Sequence, residues 1–217
     1  MASQVTAADR AYLAAGAILY LALTSPPVLR LLESRMTTHM TVLLPGLALA
    51  GYFCGLALGA LLARVNRSWN AGGIPGLVAA LLTAAFWMLP RALDESLRNP
   101  SMELAKLISM PLLVGALLAI SWPALGPIWR GVLKAQLISM LAALGWLYSA
   151  APVRLCTSYL QSDQQQLGRA LCMLAGALAL AWALPWFFGS NSAAESSPQQ
   201  PKRARNVRCQ ARLHGRY

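Results

Sequence analysis

The sequence predicts an all-α polytopic membrane protein, a bundle of six transmembrane helices. Of the 217 residues, 57% are hydrophobic and only 12% are charged, whereas soluble domains carry about 25% charged residues. A helix rises about 1.5 Å per residue and a bilayer core is about 30 Å thick, so roughly 18 uncharged residues can cross it. The chain contains six such runs, at 11–29, 36–63, 68–90, 107–129, 135–153 and 170–194.

Short polar segments with Gly, Pro, Asn or charged residues divide these runs and set the predicted helix ends. The first run is predicted to be a retained helix and not a signal peptide. Its Arg10 is balanced by Asp9, and Pro26 and Pro27 stand where a small-residue cleavage site would lie. The predicted spans of this 1–189 domain are about 11–31, 37–63, 71–90, 104–125, 133–151 and 168–188.

The final segment, 190–217, has the composition of a disordered tail, rich in Ser, Gln, Pro and Arg. Basic residues beside a bilayer favour the cytoplasmic side, and an even number of spans places both termini there. We therefore expect a bacterial inner membrane protein whose tail contacts anionic lipid. Because Tyr217 is the tail's only aromatic residue, no nucleic-acid partner is predicted.

The sequence contains none of three common catalytic motifs: a nucleophile elbow, an HExxH pair or a P-loop. It is therefore predicted not to be an enzyme. A bis-histidine haem is not expected either, because the only histidine besides His39 is His214 in the tail.

One group of residues, Met36-x-x-His39-Met40, has the residue types and spacing of a set of metal ligands. Positions i, i+3 and i+4 share one face of a helix, and thioether and imidazole groups suit Cu(I). The alternative is structural, since methionine commonly fills apolar bundles and a lone histidine at a helix start often bonds a neighbouring loop. A Cu(I) site at Met36, His39 and Met40 is one prediction of the sequence.

With cytoplasmic termini, most unusual polar residues fall at the outer ends of the predicted helices. They are either interface anchors or the lining of a shallow polar pocket contributed by several helices. This predicted outer-face cluster consists of Met88, Arg91, Asp94, Glu103, Lys106, Asp163, Gln164 and Gln165.

Four segments together resemble the CtaG-type cytochrome c oxidase assembly proteins, over roughly residues 30–185. Ser34–Met40 resembles that family's His-Met-x-x-His opening, and Phe86–Pro90 with Leu97–Pro100 resembles its Trp-His-x-Pro and Asn-Pro elements. Ser121-Trp122-Pro123 is similar to the Trp-Pro end of its next helix, and Ser162–Gly168 to its Asp-Gln-Gln-Leu-Gly element.

The chain departs from that pattern at the family's histidines. Leu43, Met88, Glu103 and Leu107 occupy those positions, and the Asp-Gln-Gln element is offset by one residue. The resemblance implies a helical bundle that takes part in heme-copper oxidase biogenesis, with oxidase subunits or copper chaperones as partners. The missing side chains weigh against copper binding in particular.

Three functions follow as hypotheses. The first is a protein that assists the assembly or copper loading of a heme-copper respiratory oxidase. The second is a non-catalytic structural subunit or scaffold of a membrane redox complex, consistent with the many small residues suited to helix contacts. The third is a small-solute or metal transporter, suggested by prolines within the spans.

Overall fold

The computed structural model describes residues 6–152, 154–155 and 158–188, and within these ranges every regular element is helical. The first half of the chain forms α1 (Ala7–Thr24), α2 (Pro26–Glu33), α3 (Met36–Thr38), a π-helical segment (His39–Leu43), α4 (Leu44–Trp69) and α5 (Ile74–Trp87). The second half forms α6 (Pro90–Arg98), α7 (Pro100–Ser109), a second π-helical segment (Met110–Ala116), α8 (Leu117–Ser121), a 3₁₀ turn (Trp122–Ala124), α9 (Pro127–Ala150) and α10 (Gln161–Phe188).

The prediction of an all-α polytopic membrane protein is confirmed. Four continuous helical stretches are long and apolar enough to cross a bilayer: Met36–Gly59, Pro100–Ala124, Pro127–Ala150 and Gln161–Pro185. Two bent helix pairs bring the number to six when each pair is taken as one span. The predicted tail, 190–217, lies outside the described residues.

The bent pairs lie at two of the predicted spans, about 11–31 and 71–90. The helix axis turns by 67° between α1 and α2 and by 69° between α5 and α6. Proline begins both second helices, and the preceding residues, Ser25 and Leu89, are extended. A residue before proline is pushed out of the helical region, and proline itself suits the first position of a new helix.

Glycines allow the long helices to approach closely. A Cβ on Gly51 would overlap the carbonyl of Pro111, and one on Gly115 would overlap the carbonyl of Ala48. The Gly145 and Gly168 pair brings α9 and α10 together, since a Cβ on either would lie within 3.0 Å of the other's carbonyl oxygen. Small residues at helix contacts are typical of membrane bundles, where packing replaces the hydrophobic effect.

The chain divides into two compact units, Met1–Leu178 and Ala179–Tyr217. The core of the first unit is apolar and contains Met36, Met40, Leu43, Trp87 and Tyr148. In the second unit the described part is the last turns of α10.

One end of the first unit is held by amide and hydroxyl groups. The Asn70 side chain donates to Asn66 Oδ1 and Ser121 Oγ, both at 2.8 Å, and accepts from the Gly76 amide at 3.0 Å. Gly73 makes the preceding turn with φ +72°, where a side chain would also meet Ser121. The Ser121 element of the sequence therefore lies at this end, apart from His39 and Lys106.

Replacing Gly115 with Ala is expected to lower the unfolding temperature of the detergent-purified protein. The added Cβ overlaps a backbone carbonyl of α4, so the two helices must separate and lose packing along their contact. The matched control is Gly131→Ala on α9, where a Cβ meets nothing within 4 Å. Thermal unfolding followed by circular dichroism measures both, and equal stability of the two variants would contradict this account of the packing.

Candidate functional site: a buried lysine network

The side chain of Lys106 is completely buried and is the centre of a polar network inside the bundle. Its Nζ donates to Glu33 Oε1 at 2.6 Å and to Ser96 Oγ at 3.4 Å, and it lies 3.2 Å from His39 Nε2. An ammonium group has three N–H donors and no acceptor. The three neighbours therefore satisfy all three donors without water.

Hydrogen-bond directions assign the form of the histidine. The Tyr159 hydroxyl donates to the Glu33 carbonyl at 2.8 Å, so it accepts from His39 Nδ1 at 3.0 Å. Nε2 then carries the lone pair that faces the Lys106 ammonium. His39 is consequently a neutral imidazole protonated at Nδ1, fully buried between a hydroxyl and a cation.

We call this set of contacts the Lys106 network, and five segments of the chain supply it. Glu33 ends α2, Ser96 lies on α6 and Lys106 lies on α7. His39 begins the first π-helical segment, and Tyr159 lies in the connection before α10. The helices carrying His39 and Lys106 each contain a π-helical segment. Such segments are uncommon and occur frequently at functional sites. The short helices α2 and α6 bring Glu33 and Ser96 over Lys106 because each follows a sharp bend.

The network contains the ionised groups that a membrane interior disfavours most. Removing an ammonium or a carboxylate from water costs several kcal/mol, and a close partner offsets this cost. Glu33 keeps a small contact with the surface, since 14% of its side chain is exposed. Paired ionisable residues within membrane segments commonly mark functional sites.

A second set of contacts joins three other parts of the same bundle. The Tyr148 hydroxyl donates to the Met88 carbonyl at 3.4 Å, and Gln164 Nε2 donates to the Tyr148 carbonyl at 3.4 Å. Gln164 is buried and also accepts from the Leu155 amide at 2.9 Å. This places the Met88 segment and the Gln164 segment, both singled out in the sequence, on either side of Tyr148.

The predicted outer-face cluster is divided among several environments. Lys106 belongs to the network, and Gln164 and Met88 contact Tyr148. Asp94 accepts from the Ser158 hydroxyl and pairs with Arg98 at 3.2 Å. Arg91 is exposed, and Glu103, Asp163 and Gln165 are partly buried without joining the Lys106 network.

The predicted copper ligands are all buried, with Met36 and His39 0% exposed and Met40 2%. Their donor chemistry suits Cu(I), but their arrangement does not fit a metal ion, because both His39 nitrogens already have protein partners. A cation at Nε2 would also lie beside the Lys106 ammonium. Among the described residues, no three His, Cys, Asp or Glu side chains form a metal-binding group. Copper binding stays a prediction.

Sequence reasoning missed Glu33, Ser96 and Tyr159 as members of the site. Glu33 follows the first uncharged run and has the appearance of an ordinary helix-end charge, and Ser96 is one of many small polar residues. Tyr159 lies in a connection with no periodic pattern. The available signal was Lys106 itself, because a lysine so close to the start of a long apolar helix requires a counter-charge.

Fold and site together define the class of protein: a helical membrane protein whose bundle encloses a lysine–glutamate–histidine network. Comparison with known proteins returned no match to a family model, to a curated protein or to a solved structure.

Replacing Lys106 with Met is expected to destabilise the protein by about 3 kcal/mol, the lower end for breaking a buried ion pair, because Glu33 retains some water contact. Glu33→Gln together with Lys106→Met should cost less than the sum of the two single changes, since the pair is lost only once. Unfolding in sodium dodecyl sulfate, followed by circular dichroism, measures all three variants.

The control is Arg98→Gln, which disrupts an ion pair whose arginine side chain is 57% exposed. Because the arginine is hydrated and Asp94 keeps its hydrogen bonds from Ser158, this change should cost less than breaking the buried pair. A Lys106→Met variant no less stable than Arg98→Gln would show that the buried ammonium does not organise this end of the bundle.

Proposed function

We propose that this protein assists the assembly of a heme-copper respiratory oxidase, in a bacterial inner membrane with both chain termini in the cytoplasm. The observation that carries the proposal is that three of the four segments that resemble the CtaG-type proteins meet at one end of the bundle, whereas the Ser121 element lies apart from them. His39 lies in the Lys106 network, Ser96 lies between the Trp87 and Asn99 elements, and Gln164 contacts the same packed end through Tyr148.

Such a role requires a rigid surface and no chemistry of its own. A partner that binds a preformed surface loses less conformational entropy than one that must order it. The Lys106 network joins five segments that are distant in sequence, with separations of up to 126 residues for Tyr159 and Glu33. It therefore fixes the positions of α2, α6 and Tyr159 at this end of the bundle.

Copper delivery does not follow from this arrangement, because the network occupies both nitrogens of His39. The proposal is therefore a role in assembly through protein contacts. If copper handling also occurs, it requires other donors or a rearranged His39.

Deletion of the gene in its native host is expected to reduce oxidase activity per unit of membrane protein, together with the haem and copper recovered with the oxidase. The wild-type gene should restore all three, and Lys106→Met should restore less at an equal protein level by immunoblot. Arg10→Gln, a change of an exposed residue near the start of α1 and away from the network, should restore activity fully. Normal oxidase activity and copper content in the deletion strain would refute the proposal.

A structural subunit or scaffold of a membrane redox complex is the second candidate, favoured by the exposure of α9. Only 17% of its membrane-spanning part is buried within the protein, against 39% for Met36–Gly59. Trp146, which is 70% exposed, gives this face a large aromatic group, the kind of residue enriched in protein interfaces.

Purification in a mild detergent distinguishes this candidate by recovering a partner in fixed ratio to the protein. Trp146→Ala should reduce the recovered partner, whereas Leu21→Ala, a 66% exposed residue on α1, should not. Recovery of the protein alone, under conditions that preserve the host's respiratory complexes, would eliminate a stable subunit role.

A further inference from the structure

A groove with polar side chains at one end lies beside the start of α10 and is separate from the Lys106 network. It encloses about 560 Å³ and opens to the protein surface. Thr37 lines it from α3, and the first three turns of α10 supply the other side. The α10 side chains that matter are Ser162, Gln165, Gln166, Arg169 and Met173.

Arg169 is the charged residue of this groove, and its position is unusual. It lies eight residues after the start of Gln161–Pro185, a stretch apolar enough to span a bilayer, and its side chain is exposed. Eight residues of helix correspond to about 12 Å. No described residue forms an ion pair or hydrogen bond with it, so the guanidinium needs an anion or water from outside the chain.

The groove changes from polar to apolar along α10. Ser162, Gln165 and Gln166 offer hydroxyl and amide groups, Arg169 follows one turn later, and Met173 follows after another turn. Met173 is 69% exposed. These positions share one helical face, because they recur at spacings of three and four residues. An amphiphile with a polar head, an anionic group and an apolar chain matches this order.

We propose that the groove binds an anionic phospholipid, with the phosphate on Arg169. The planar guanidinium can donate two parallel hydrogen bonds to phosphate oxygens. Hydroxyl groups of a glycerol headgroup then lie beside Thr37, Ser162 and the two glutamines, and the start of an acyl chain lies along Met173. None of the described side chains that line the groove is a carboxylate, so it offers no counter-charge to the ammonium of a zwitterionic headgroup.

The test reconstitutes the full-length protein with equal amounts of phosphatidylglycerol and phosphatidylcholine and counts retained lipids by native mass spectrometry. Wild-type protein should retain phosphatidylglycerol in excess. Arg169→Gln should lower this excess, and Arg169→Lys should preserve more of it than Arg169→Gln does. Arg154→Gln, an exposed arginine outside the groove, should behave as wild type.

A competition with inorganic phosphate tests whether the groove binds the phosphate of a lipid or free phosphate. Displacement of phosphatidylglycerol by millimolar phosphate at constant ionic strength would show a site for free phosphate and overturn the assignment to lipid. Equal phosphatidylglycerol excess in wild type and Arg169→Gln, with the same gel-filtration volume, would also overturn it. Arg169 lies outside the Lys106 network, so either result leaves the proposed role in oxidase assembly unaffected.

Discussion

The Lys106 ammonium needs three acceptors in a place where water does not reach. A cation in an apolar bundle is tolerated only when its donors are satisfied and its charge is balanced. Here the carboxylate of Glu33, the imidazole of His39 and the hydroxyl of Ser96 meet that need. Each belongs to a different segment of the chain. The packing of α2, α6 and the first π-helical segment at this end of the bundle is therefore linked to one charge.

Close helix packing is what makes such a network geometrically possible. The interlocking of Gly51 with Pro111, and of Gly115 with Ala48, brings the helices that carry His39 and Lys106 into backbone contact. With larger residues at these positions the helices would stand farther apart. The 3.2 Å separation between Lys106 Nζ and His39 Nε2 would then be lost. Apolar packing and polar chemistry thus depend on the same small residues.

Much of the fold follows from the distribution of charge along the sequence, because every helix long enough to span a membrane falls largely within an uncharged run. The bends at Ser25 and Leu89 were signalled by the prolines that follow, but their angles depend on packing. The π-helical segments had no sequence signal. An extra residue in a turn rotates the following side chains by about 100° relative to an ideal helix, so the faces of residues after such a segment do not follow from spacing alone. Met36, His39 and Met40 lie at or before the start of the first segment and are buried together.

Residues of the site were predicted only where their type was unusual for their position. Lys106 and His39 stood out as polar groups at the starts of apolar helices. Glu33 and Tyr159 did not, because their importance arises from contacts across 73 and 120 residues of chain, respectively, that no local pattern encodes. The spacing of apolar residues in the sequence indicates which face of a helix is apolar, but it does not indicate which loop packs over that face.

The pairing of charges also determines how the site responds to an electric field. An ammonium, a carboxylate and a neutral imidazole carry no net charge together, so moving the network as a whole through a membrane potential requires no electrical work. What remains is a dipole with its opposite charges 2.6 Å apart. Turning this dipole from the membrane plane to the membrane normal, in a core about 30 Å thick, involves electrical work of roughly 0.2 kcal/mol per 100 mV. A membrane potential therefore does little work on the Lys106 network itself.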